Sequence, residues 1–356
     1  MYTFKIFETI TEECKNIWKS GENKMSSTFF QDIGYIEEVI KNNNSKVKIV
    51  VVYYKKIVIA ILPLEIKDLL FIRVLQWIGT EFSDYCNPIL SKNFKSNFNK
   101  KDFLSVWNLI LNEMKDELDL VFLNNQLALV NGQPNPFVEC LESQFFSKIY
   151  SIEIGSEFLE YKESIKKKNK KHAYEIHRIQ IKQEKLKKLS EHLNLDIKES
   201  SRDNIDFNKI VDEKKKQLYK KNISNKLNKN FKKIFNNLII SKKKNFYLIS
   251  LVYENKVLSK CFGFVYANTF YYYIPVVLPN SFNNYKPGKI LIIQLIEWCI
   301  QNKIAKFDFG LGNEKYKKYF SNKEISLHRY LNFFSLRGLL AYSYISVLLK
   351  IKKLWL

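Results

Sequence analysis

The 356-residue chain has few cysteines and few histidines. Its five cysteines are widely spaced, at Cys14, Cys86, Cys140, Cys261 and Cys299, with no CxxC pair and no Cys/His cluster. This spacing indicates neither a zinc site nor a disulfide framework, and free thiols suit a reducing compartment. We therefore expect a protein that uses no metal.

Long hydrophobic runs are also missing. No segment reaches the ~18 consecutive apolar residues that a membrane-spanning helix needs. The first residues contain Glu8, Glu12 and Glu13 and have no clean apolar core, which argues against a signal peptide. No internal repeat is visible. We therefore expect a cytoplasmic protein.

The last segment, residues 335–356, is predicted to be an amphipathic helix. Its apolar run is about twelve residues, too short to span a bilayer. The apolar face is followed by Lys350, Lys352, Lys353 and Trp355, which permits a helix that lies at the inner face of the membrane. A helix docked on its own domain is the alternative, and both interpretations stay open.

Acidic residues are scarce relative to basic ones. The chain has 58 lysines and arginines against 36 acidic residues, a net charge of +22, and residues 161–260 alone carry 28 against 11, a net +17. Such a block attracts nucleic acid, anionic lipid or an acidic substrate. A general compositional bias toward Lys, Asn and Ile explains it equally well.

Apolar and aromatic residues are plentiful, at 46% and 15% of the chain, which excludes global disorder and predicts two domains at this length. In the first half, period-2 runs predict a strand pair over residues 46–64, a strand over 69–78, a short strand over 120–123 and a strand over 147–154 that leads into the second half. Helical spacing predicts a helix over residues 101–118. Residues 126–137 are predicted to form a loop.

The second half is predicted to begin with basic helices. Residues 158–195 have a helical apolar stripe with a break near 168–171, and residues 206–238 form one or two further helices. A hairpin over residues 245–266 follows, and then strand 270–277, helix 289–301 and strand 306–309. The unit formed by residues 268–320 is the part around which the chain is organised.

The loop before helix 289–301 has the chemistry of an anion site. Pro287 lies near the first helical position, where a missing N–H costs nothing, and Gly288 lets another molecule approach the backbone. The N–H groups of the first helical turn, which lack partners within the helix, can receive a pyrophosphate, and Lys286 and Lys289 flank the position. An ordinary strand-to-helix connection is the alternative interpretation.

Two motifs of this unit resemble those of a known enzyme group. Tyr285-Lys286-Pro287-Gly288 precedes an aliphatic helix, and the sequence FDFGLGNEKYKKYF follows it over residues 307–320. This pattern resembles the GNAT-superfamily acyltransferases of the cellulose-biosynthesis (CelD-type) group, which are related to Fem-type aminoacyl transferases. Asn313 stands where that group usually has Asp. Of the short GNAT phosphate signature, Gln/Arg-x-x-Gly-x-Gly/Ala, only Gly288 remains.

The resemblance implies an α/β (α+β) fold of two tandem GNAT-like domains, with mixed, mostly antiparallel sheets flanked by helices around a central cleft. We expect an N-terminal domain over residues 1–150, an acyltransferase domain over 151–334 and the helix 335–356. It also implies acyl-CoA as co-substrate, whose pantetheine arm pairs with the strand at residues 274–277. The implied cofactor-binding residues are Ile274, Val276, Val277, Tyr285, Lys286, Gly288 and Lys289.

Acyl transfer from a thioester needs a group that takes a proton, donors for the oxyanion and a held acceptor. Asp308 and Glu314 are the acidic candidates, and Asp308 lies between two phenylalanines, where burial raises the pKa of a carboxylate. Tyr316 is a candidate acid for the leaving thiolate. Lys317 is a candidate for binding phosphates or an anionic substrate group. An architectural role, with Asp308 capping a turn and Tyr316 packing, remains open.

Four residues are candidates for substrate binding. Asp84 and Tyr85 belong to a Ser-Asp-Tyr that resembles a motif of the same family, and they could line the cleft; a polar turn with Tyr85 packed on the core is the alternative we favour. Lys168 and Lys171 belong to the basic helix, which holds an anionic substrate group, lies on RNA or membrane, or is only a solvated face.

Three functions remain open. The first is a transferase that moves an acyl group, in the first place acetyl, from acyl-CoA to an amino or hydroxyl group of a sugar, polysaccharide or cell-envelope precursor. The second is a Fem-like transferase that uses aminoacyl-tRNA, with the basic block binding RNA. The third is a non-catalytic partner of glycan synthesis at the membrane surface.

Overall fold

The fold is taken from a computed structural model of the chain, which describes residues 2–22, 28–69, 71–92, 94, 99–130, 132–189, 192–221, 223, 226–241, 245–279 and 281–354. In chain order the strands are β1 (Tyr2–Phe7), β2 (Lys46–Tyr54), β3 (Ile57–Leu69), β4 (Ile72–Trp77), β5 (Ile89–Leu90), β6 (Leu120–Leu127), β7 (Leu129–Val130), β8 (Gln133–Pro134), β9 (Gln144–Glu153), β10 (Leu193–Glu199), β11 (Phe246–Tyr253), β12 (Lys256–Tyr266), β13 (Thr269–Val277), β14 (Lys306–Asp308) and β15 (Lys323–Phe333).

The helices are α1 (Glu12–Glu22), α2 (Ile33–Lys41), α3 (Lys100–Glu113), α4 (Pro136–Glu139), α5 (Phe158–Lys168), α6 (Lys170–Leu189), α7 (Phe207–Tyr219), α8 (Lys229–Ile240), α9 (Pro287–Gln301), α10 (Lys315–Phe320) and α11 (Leu336–Leu354). Short 3₁₀ turns lie at Phe29–Gln31, Lys115–Glu117 and Asn283–Tyr285. No helix within the described residues is long and apolar enough to cross a bilayer.

The chain divides into two compact units, Met1–Ser147 with Ser326–Leu356, and Lys148–Ile325. In the first unit β1, β2, β3 and β4 pair antiparallel in that order, β4 runs parallel to β6, and β6 is antiparallel to β15. Its core contains Phe137 of α4, whose ring meets Trp77, Phe103 and Trp107 edge-on at 5.0–5.2 Å between centroids. Aromatic pairs of this geometry fasten helices α3 and α4 to the sheet.

In the second unit β10, β11, β12 and β13 form an antiparallel sheet, β13 runs parallel to β14, and β14 is antiparallel to β9. Helices cover both of its faces. Residues of α5, α6 and α9 share one core with Phe270 and Tyr272 of β13. On the other face Phe231 and Phe235 of α8 stack on Tyr273. The prediction of mixed, mostly antiparallel sheets flanked by helices is therefore confirmed.

The helical region predicted over residues 158–195 extends too far at its C-terminal end. Helix α6 ends at Leu189, and β10 pairs with β11. Leu193, Leu195 and Ile197 alternate with exposed residues, which is the period of a half-buried strand rather than of a helix. The predicted break near 168–171 is confirmed: Asn169 has extended backbone, and its side chain accepts from Lys171 N (2.9 Å) to cap α6.

Two predictions in the first half were also inaccurate. The strand expected over residues 120–123 extends to Leu127, because Gln126 and Leu127 still pair with β15 beyond a register shift. The loop expected over residues 126–137 contains the small hairpin β7–β8 and the start of α4, which Asn135 caps by accepting from Phe137 N.

Candidate functional site

Strands β13 and β14 separate after a short stretch of pairing. They are parallel neighbours only from Thr269 to Tyr271 on β13, whereas β13 stays paired with β12 as far as Val277. Leu278 N donates to Leu258 O at 3.0 Å, so the backbone groups of Leu278 face β12. Backbone groups of successive residues in a strand point to opposite sides, so those of Val277 and Pro275 face away from β12. Pro275 has no N–H group, and its absence costs no hydrogen bond at an unpaired strand edge. The second half of β13 is therefore an open strand edge.

Two side chains of helix α7 cover this open edge. Lys214 Nζ donates to Pro275 O at 2.9 Å, and Gln217 Nε2 donates to Val277 O. The spacing of three residues places both side chains on the same face of α7. Sequence reasoning identified neither residue, since a lysine and a glutamine on a basic helix carry no signal that distinguishes them from their solvated neighbours.

Helix α9 begins beside the same edge. Lys286 has left-handed backbone (φ 58°), and its carbonyl accepts from Lys289 N at 2.9 Å and from Ile290 N at 3.2 Å. Pro287 has no N–H, and among the described residues no acceptor bonds the Gly288 N–H. The expectation that the first-turn amides are without partners is therefore wrong for Lys289 and holds for Gly288.

Gly288 allows helix α9 to start very close to β13. A Cβ atom at this position would lie 2.6 Å from Val277 Cγ2, well inside van der Waals contact. Any residue with a side chain would push the helix start and the end of the strand apart. The glycine thus places the free amide next to the open edge.

A cavity of about 440 Å³ lies between these elements. Its walls include Lys214 and Gln217 from α7, Tyr272 and Val277 from β13, the start of α9, and Glu314 with Tyr316 from the loop and helix after β14. An open strand edge, a free helix amide and several cations meet in one concave space. This arrangement suits an extended ligand with an anionic end.

The rim of the cavity is positively charged. Glu175 of α6 accepts from Lys289 (2.7 Å) and Lys286 (3.4 Å) and also pairs with Arg178 (3.3 Å). Lys182 donates to Asn284 O nearby, and burial together with the charges of Lys286 and Arg178 lowers the pKa of its amine. One carboxylate among four cations leaves a surplus of positive charge beside the start of α9.

Two of the four predicted catalytic residues line the cavity. Glu314 and Tyr316 line the cavity, whereas Asp308 and Lys317 are not among the described residues that line it. Burial raises the pKa of the Tyr316 phenol well above its ordinary value, so this side chain holds its proton at neutral pH. Glu314 is half exposed and pairs with Lys317 at 2.9 Å.

Asp308 and Lys317 support the loop between β14 and α10. Asp308 is 1% exposed, its Oδ1 accepts from Gly310 N at 2.8 Å, and Lys306 Nζ lies 3.4 Å from Oδ2. Lys317 is buried and donates to Leu311 O. These contacts are those of the architectural alternative; the catalytic assignment of both residues stays a prediction.

Asn313, which stands where the resembling family usually has Asp, makes a hydrogen bond within the same loop region. Tyr150 of β9 donates its hydroxyl proton to Asn313 Oδ1 at 2.9 Å. A carboxylate oxygen would accept the same bond, so Asn313 keeps the local geometry while it removes one negative charge from the loop.

The predicted cofactor residues differ in what they present. Ile274 and Val276 are buried, and their backbone groups, in phase with Leu278, face β12 rather than the open edge, so the structure does not present these two residues to a ligand there. The Val277 side chain is 39% exposed and lines the cavity. Lys286, Gly288 and Lys289 also line it. Tyr285 packs against the Phe282 ring and is not among the described lining residues.

The predicted substrate residues lie elsewhere. Asp84 and Tyr85 are buried in the first unit; the Tyr85 ring meets Phe30 edge-on, and its carbonyl accepts from Gln31 Nε2 at 3.0 Å, as the packing alternative expects. In the second unit Lys168 pairs with Glu324 at 3.1 Å, and Lys171 is exposed. None of the four lines the described cavity, and their substrate role stays a prediction.

No group of three or more His, Cys, Asp or Glu side chains within the described residues is arranged to hold a metal ion.

The profile of the acetyltransferase (GNAT) domain matches residues 176–318 of the chain. FemX superposes with a TM-score of 0.55 at 9% identity, over 90% of this chain and 96% of that chain. A tandem GNAT protein from the clavulanic acid biosynthesis pathway superposes with a TM-score of 0.53 at 8% identity, over 94% and 99%. A conserved protein of unknown function from Bacteroides thetaiotaomicron gives 0.51 at 7%, over 92% and 99%.

At these identities the structural likeness shows the fold. No curated protein matches the sequence at a significant level. The profile match contains the splayed strands, the start of α9 and the cavity. The chain thus contains a region that matches the acetyltransferase (GNAT) domain, and its fold is similar to that of tandem GNAT proteins.

Proposed function

We propose that the chain is an acyltransferase that moves an acyl group, in the first instance acetyl, from acyl-CoA to an amino or hydroxyl group of a sugar, polysaccharide or cell-envelope precursor, by direct attack. The observation that carries the proposal is the open edge of β13 beside the unpaired Gly288 amide. The acceptor class rests on the resemblance to the cellulose-biosynthesis group.

The chemistry of acyl-CoA fits this cavity. The pantetheine arm contains two amide groups, and an open strand edge offers backbone partners to such a chain in the manner of an added strand. The phosphates then face the Gly288 amide and the cations Lys286 and Lys289 at the positive end of the α9 dipole. In this proposal the thioester lies toward Glu314 and Tyr316, which line the cavity, and Tyr316 protonates the leaving thiolate.

A calorimetric titration of acetyl-CoA into the full chain tests the proposal. We expect saturable binding with one site, and weaker binding of acetyl-pantetheine, because the latter lacks the phosphates that the cations receive. A folded protein that binds neither compound would contradict acyl-CoA as donor. Aminoacyl-tRNA would then be the next donor to test, as in the Fem-like alternative.

Asp308→Asn separates a catalytic role of this residue from a capping role. Asn keeps an oxygen that can accept from Gly310 N, so the loop is retained while the charge is lost. A role in proton transfer predicts that turnover falls by about 10²-fold or more with unchanged acetyl-CoA affinity. Unchanged turnover would show that Asp308 only accepts the hydrogen bond from Gly310 N and takes no part in proton transfer.

Helix α11 in the first unit favours a second element of the proposal, contact with an anionic membrane surface. Leu336, Leu340, Tyr344 and Val347 form one stripe and are 55–81% exposed. Residues 335–356 contain four basic residues and no acidic one, which selects an anionic lipid surface over a neutral partner. The side chains of Lys350, Lys352, Lys353 and Trp355 lie outside the described part of the structure.

Vesicle flotation tests this contact. We expect the full chain to float with phosphatidylglycerol vesicles at low salt and to remain at the bottom with phosphatidylcholine vesicles. Leu340→Glu/Val347→Glu should abolish flotation, because both changes place a charge on the exposed stripe. Asn204→Glu/Asn230→Glu, which adds the same two charges at exposed positions of the second unit, is a matched control for charge alone. Equal flotation of the wild type and the double variant would contradict the proposal.

A further inference from the structure

Lys214 holds a position in the cavity that no motif indicated. Its amine lies 2.9 Å from Pro275 O, on the open edge of β13. It lines the same space as Gly288, Glu314 and Tyr316. In the proposed complex the donor arm pairs with this edge, so the amine is beside the path of the thioester.

The other titratable groups that line the described cavity are poorly suited to accept a proton. Burial raises the pKa of both Tyr272 and Tyr316 well above the ordinary value, so these phenols are acids at neutral pH. Glu314 is paired with Lys317 and half exposed. Lys286 and Lys289 share Glu175, and Lys221 is exposed at the end of α7.

The environment of Lys214 favours its neutral form. Burial lowers the pKa of the Lys214 amine to about 8. The charges of Lys317 and Lys221 lower this pKa further, and the charge of Glu314 opposes the change. The acidic groups nearby on α7 are paired, Glu213 with Lys260 of β12 and Asp212 with Lys232 of α8, and the neighbouring Lys215 and Lys216 are exposed. Roughly a tenth of the Lys214 amine is then neutral at pH 7 and most of it above pH 8.5, which suits a general base.

We propose that Lys214 is a further catalytic residue of this cavity and that its amine takes the proton from the acceptor nucleophile during acyl transfer. The proposal rests on the acyltransferase function proposed above. The carbonyl oxygen of Pro275 holds the amine at the edge of the cavity until the donor arm pairs with β13. The arm competes for the carbonyls that Lys214 and Gln217 now bond, and it thereby frees the amine.

The step balances without a further reactant. The acceptor nitrogen or oxygen attacks the thioester carbon, a C–N or C–O bond forms, and the acceptor proton moves to the neutral Lys214 amine. The C–S bond then breaks, and the thiolate takes its proton from Tyr316 or from the Lys214 ammonium. In the former case the ammonium returns its proton to the Tyr316 phenolate. Products are the acylated acceptor and free CoA thiol.

Competitive labelling with acetic anhydride tests the amine itself. The full chain is labelled at limiting reagent between pH 6 and pH 11, and modification of each lysine is read by mass spectrometry. We expect Lys214 to titrate near pH 8, well below the pKa of about 10.4 of a free lysine side chain. The exposed Lys216, two residues along α7, is the internal reference for protection. Saturating acetyl-CoA should protect Lys214 and leave Lys216 unchanged.

Either of two results would overturn the proposal: Lys214 titrating near the value of a free lysine side chain, about 10.4, or no protection of Lys214 by acetyl-CoA that calorimetry shows to be bound. Absence of acetyl-CoA binding is a different result. It would refute the donor assignment of the cavity, and with it the catalytic role, while the titration of Lys214 would still stand as a property of the free protein.

Turnover supplies a second readout, with glucosamine as a probe acceptor and thiol release from acetyl-CoA as the signal. We expect kcat/KM to rise with pH through about pH 8 to a plateau above about pH 9, and Lys214→Met to lower kcat by about 10²-fold or more with little change in acetyl-CoA affinity. Lys216→Met is the matched control. Wild-type turnover in Lys214→Met would overturn the proposal; if the wild type does not use glucosamine, the labelling result decides alone.

Discussion

Gly288→Ala is expected to weaken acetyl-CoA binding by roughly 10- to 100-fold, the worth of one hydrogen bond to a charged group. The new Cβ would lie 2.6 Å from Val277 Cγ2, so this methyl group or the start of α9 must shift. Because the β-branched Val277 has little χ1 freedom, we expect the start of α9 to shift and the free amide to leave the open strand edge. Calorimetry on the wild type and the variant measures the change.

The fold should survive this substitution, because Ala is the better helix former by about 1 kcal/mol and offsets part of the strain. Val277→Ala removes the methyl group that the new Cβ would meet. We therefore expect the double variant to bind acetyl-CoA almost as well as Val277→Ala alone, a coupling that a double-mutant cycle measures. Wild-type affinity in Gly288→Ala would contradict the placement of the donor site at the start of α9.

Gly338→Ala is expected to destabilise the first unit by about 3 kcal/mol. Gly338 packs against the backbone at the start of β6, and a Cβ would lie 1.7 Å from Asp119 O. Asp119 O is a backbone atom and cannot turn aside as the end of a flexible side chain would. The start of α11 must therefore move away. The bonds from Phe334 N to Asp119 O (2.8 Å) and from Ser335 Oγ to Asp119 Oδ1 (2.7 Å) are then lost.

Urea unfolding followed by tryptophan fluorescence measures this loss, since Trp77 and Trp107 report on the core of the first unit. Ser343→Ala on the exposed part of α11 is the control and should change the free energy of unfolding by less than about 0.5 kcal/mol. Equal stabilities of Gly338→Ala and the control would show that α11 does not dock through this glycine.

The sequence was sufficient where local signals agree with each other. The aliphatic run after Pro287 predicts helix α9 almost to the residue, because proline starts a helix and the wide apolar face must be buried on the sheet. The hairpin β11–β12 follows from two strand-like runs around Glu254 and Asn255, both of which take the left-handed conformation. The motif resemblance supplied the fold, which the structural comparisons support.

Tertiary contacts decided what the sequence did not reveal. Lys214 and Lys216 have the same identity and nearly the same neighbours in sequence, yet only Lys214 faces the carbonyl of Pro275. The sequence predicts an unpaired Lys289 amide. In the structure the left-handed backbone of Lys286 directs the Lys286 carbonyl toward this amide, which donates to it. Asp308, between two phenylalanines, could be recognised as buried but not as the acceptor of the Gly310 amide.

The most direct measurement of the central claim is backbone hydrogen exchange of the full chain with and without saturating acetyl-CoA. We expect slower exchange in the peptides that contain Val277 and Gly288, whose amides lie at the open edge of β13 and at the start of α9. The peptides of α3 in the first unit should exchange at unchanged rates. Protection that is absent from both sites while acetyl-CoA is bound would contradict the assignment of this cavity to the acyl donor.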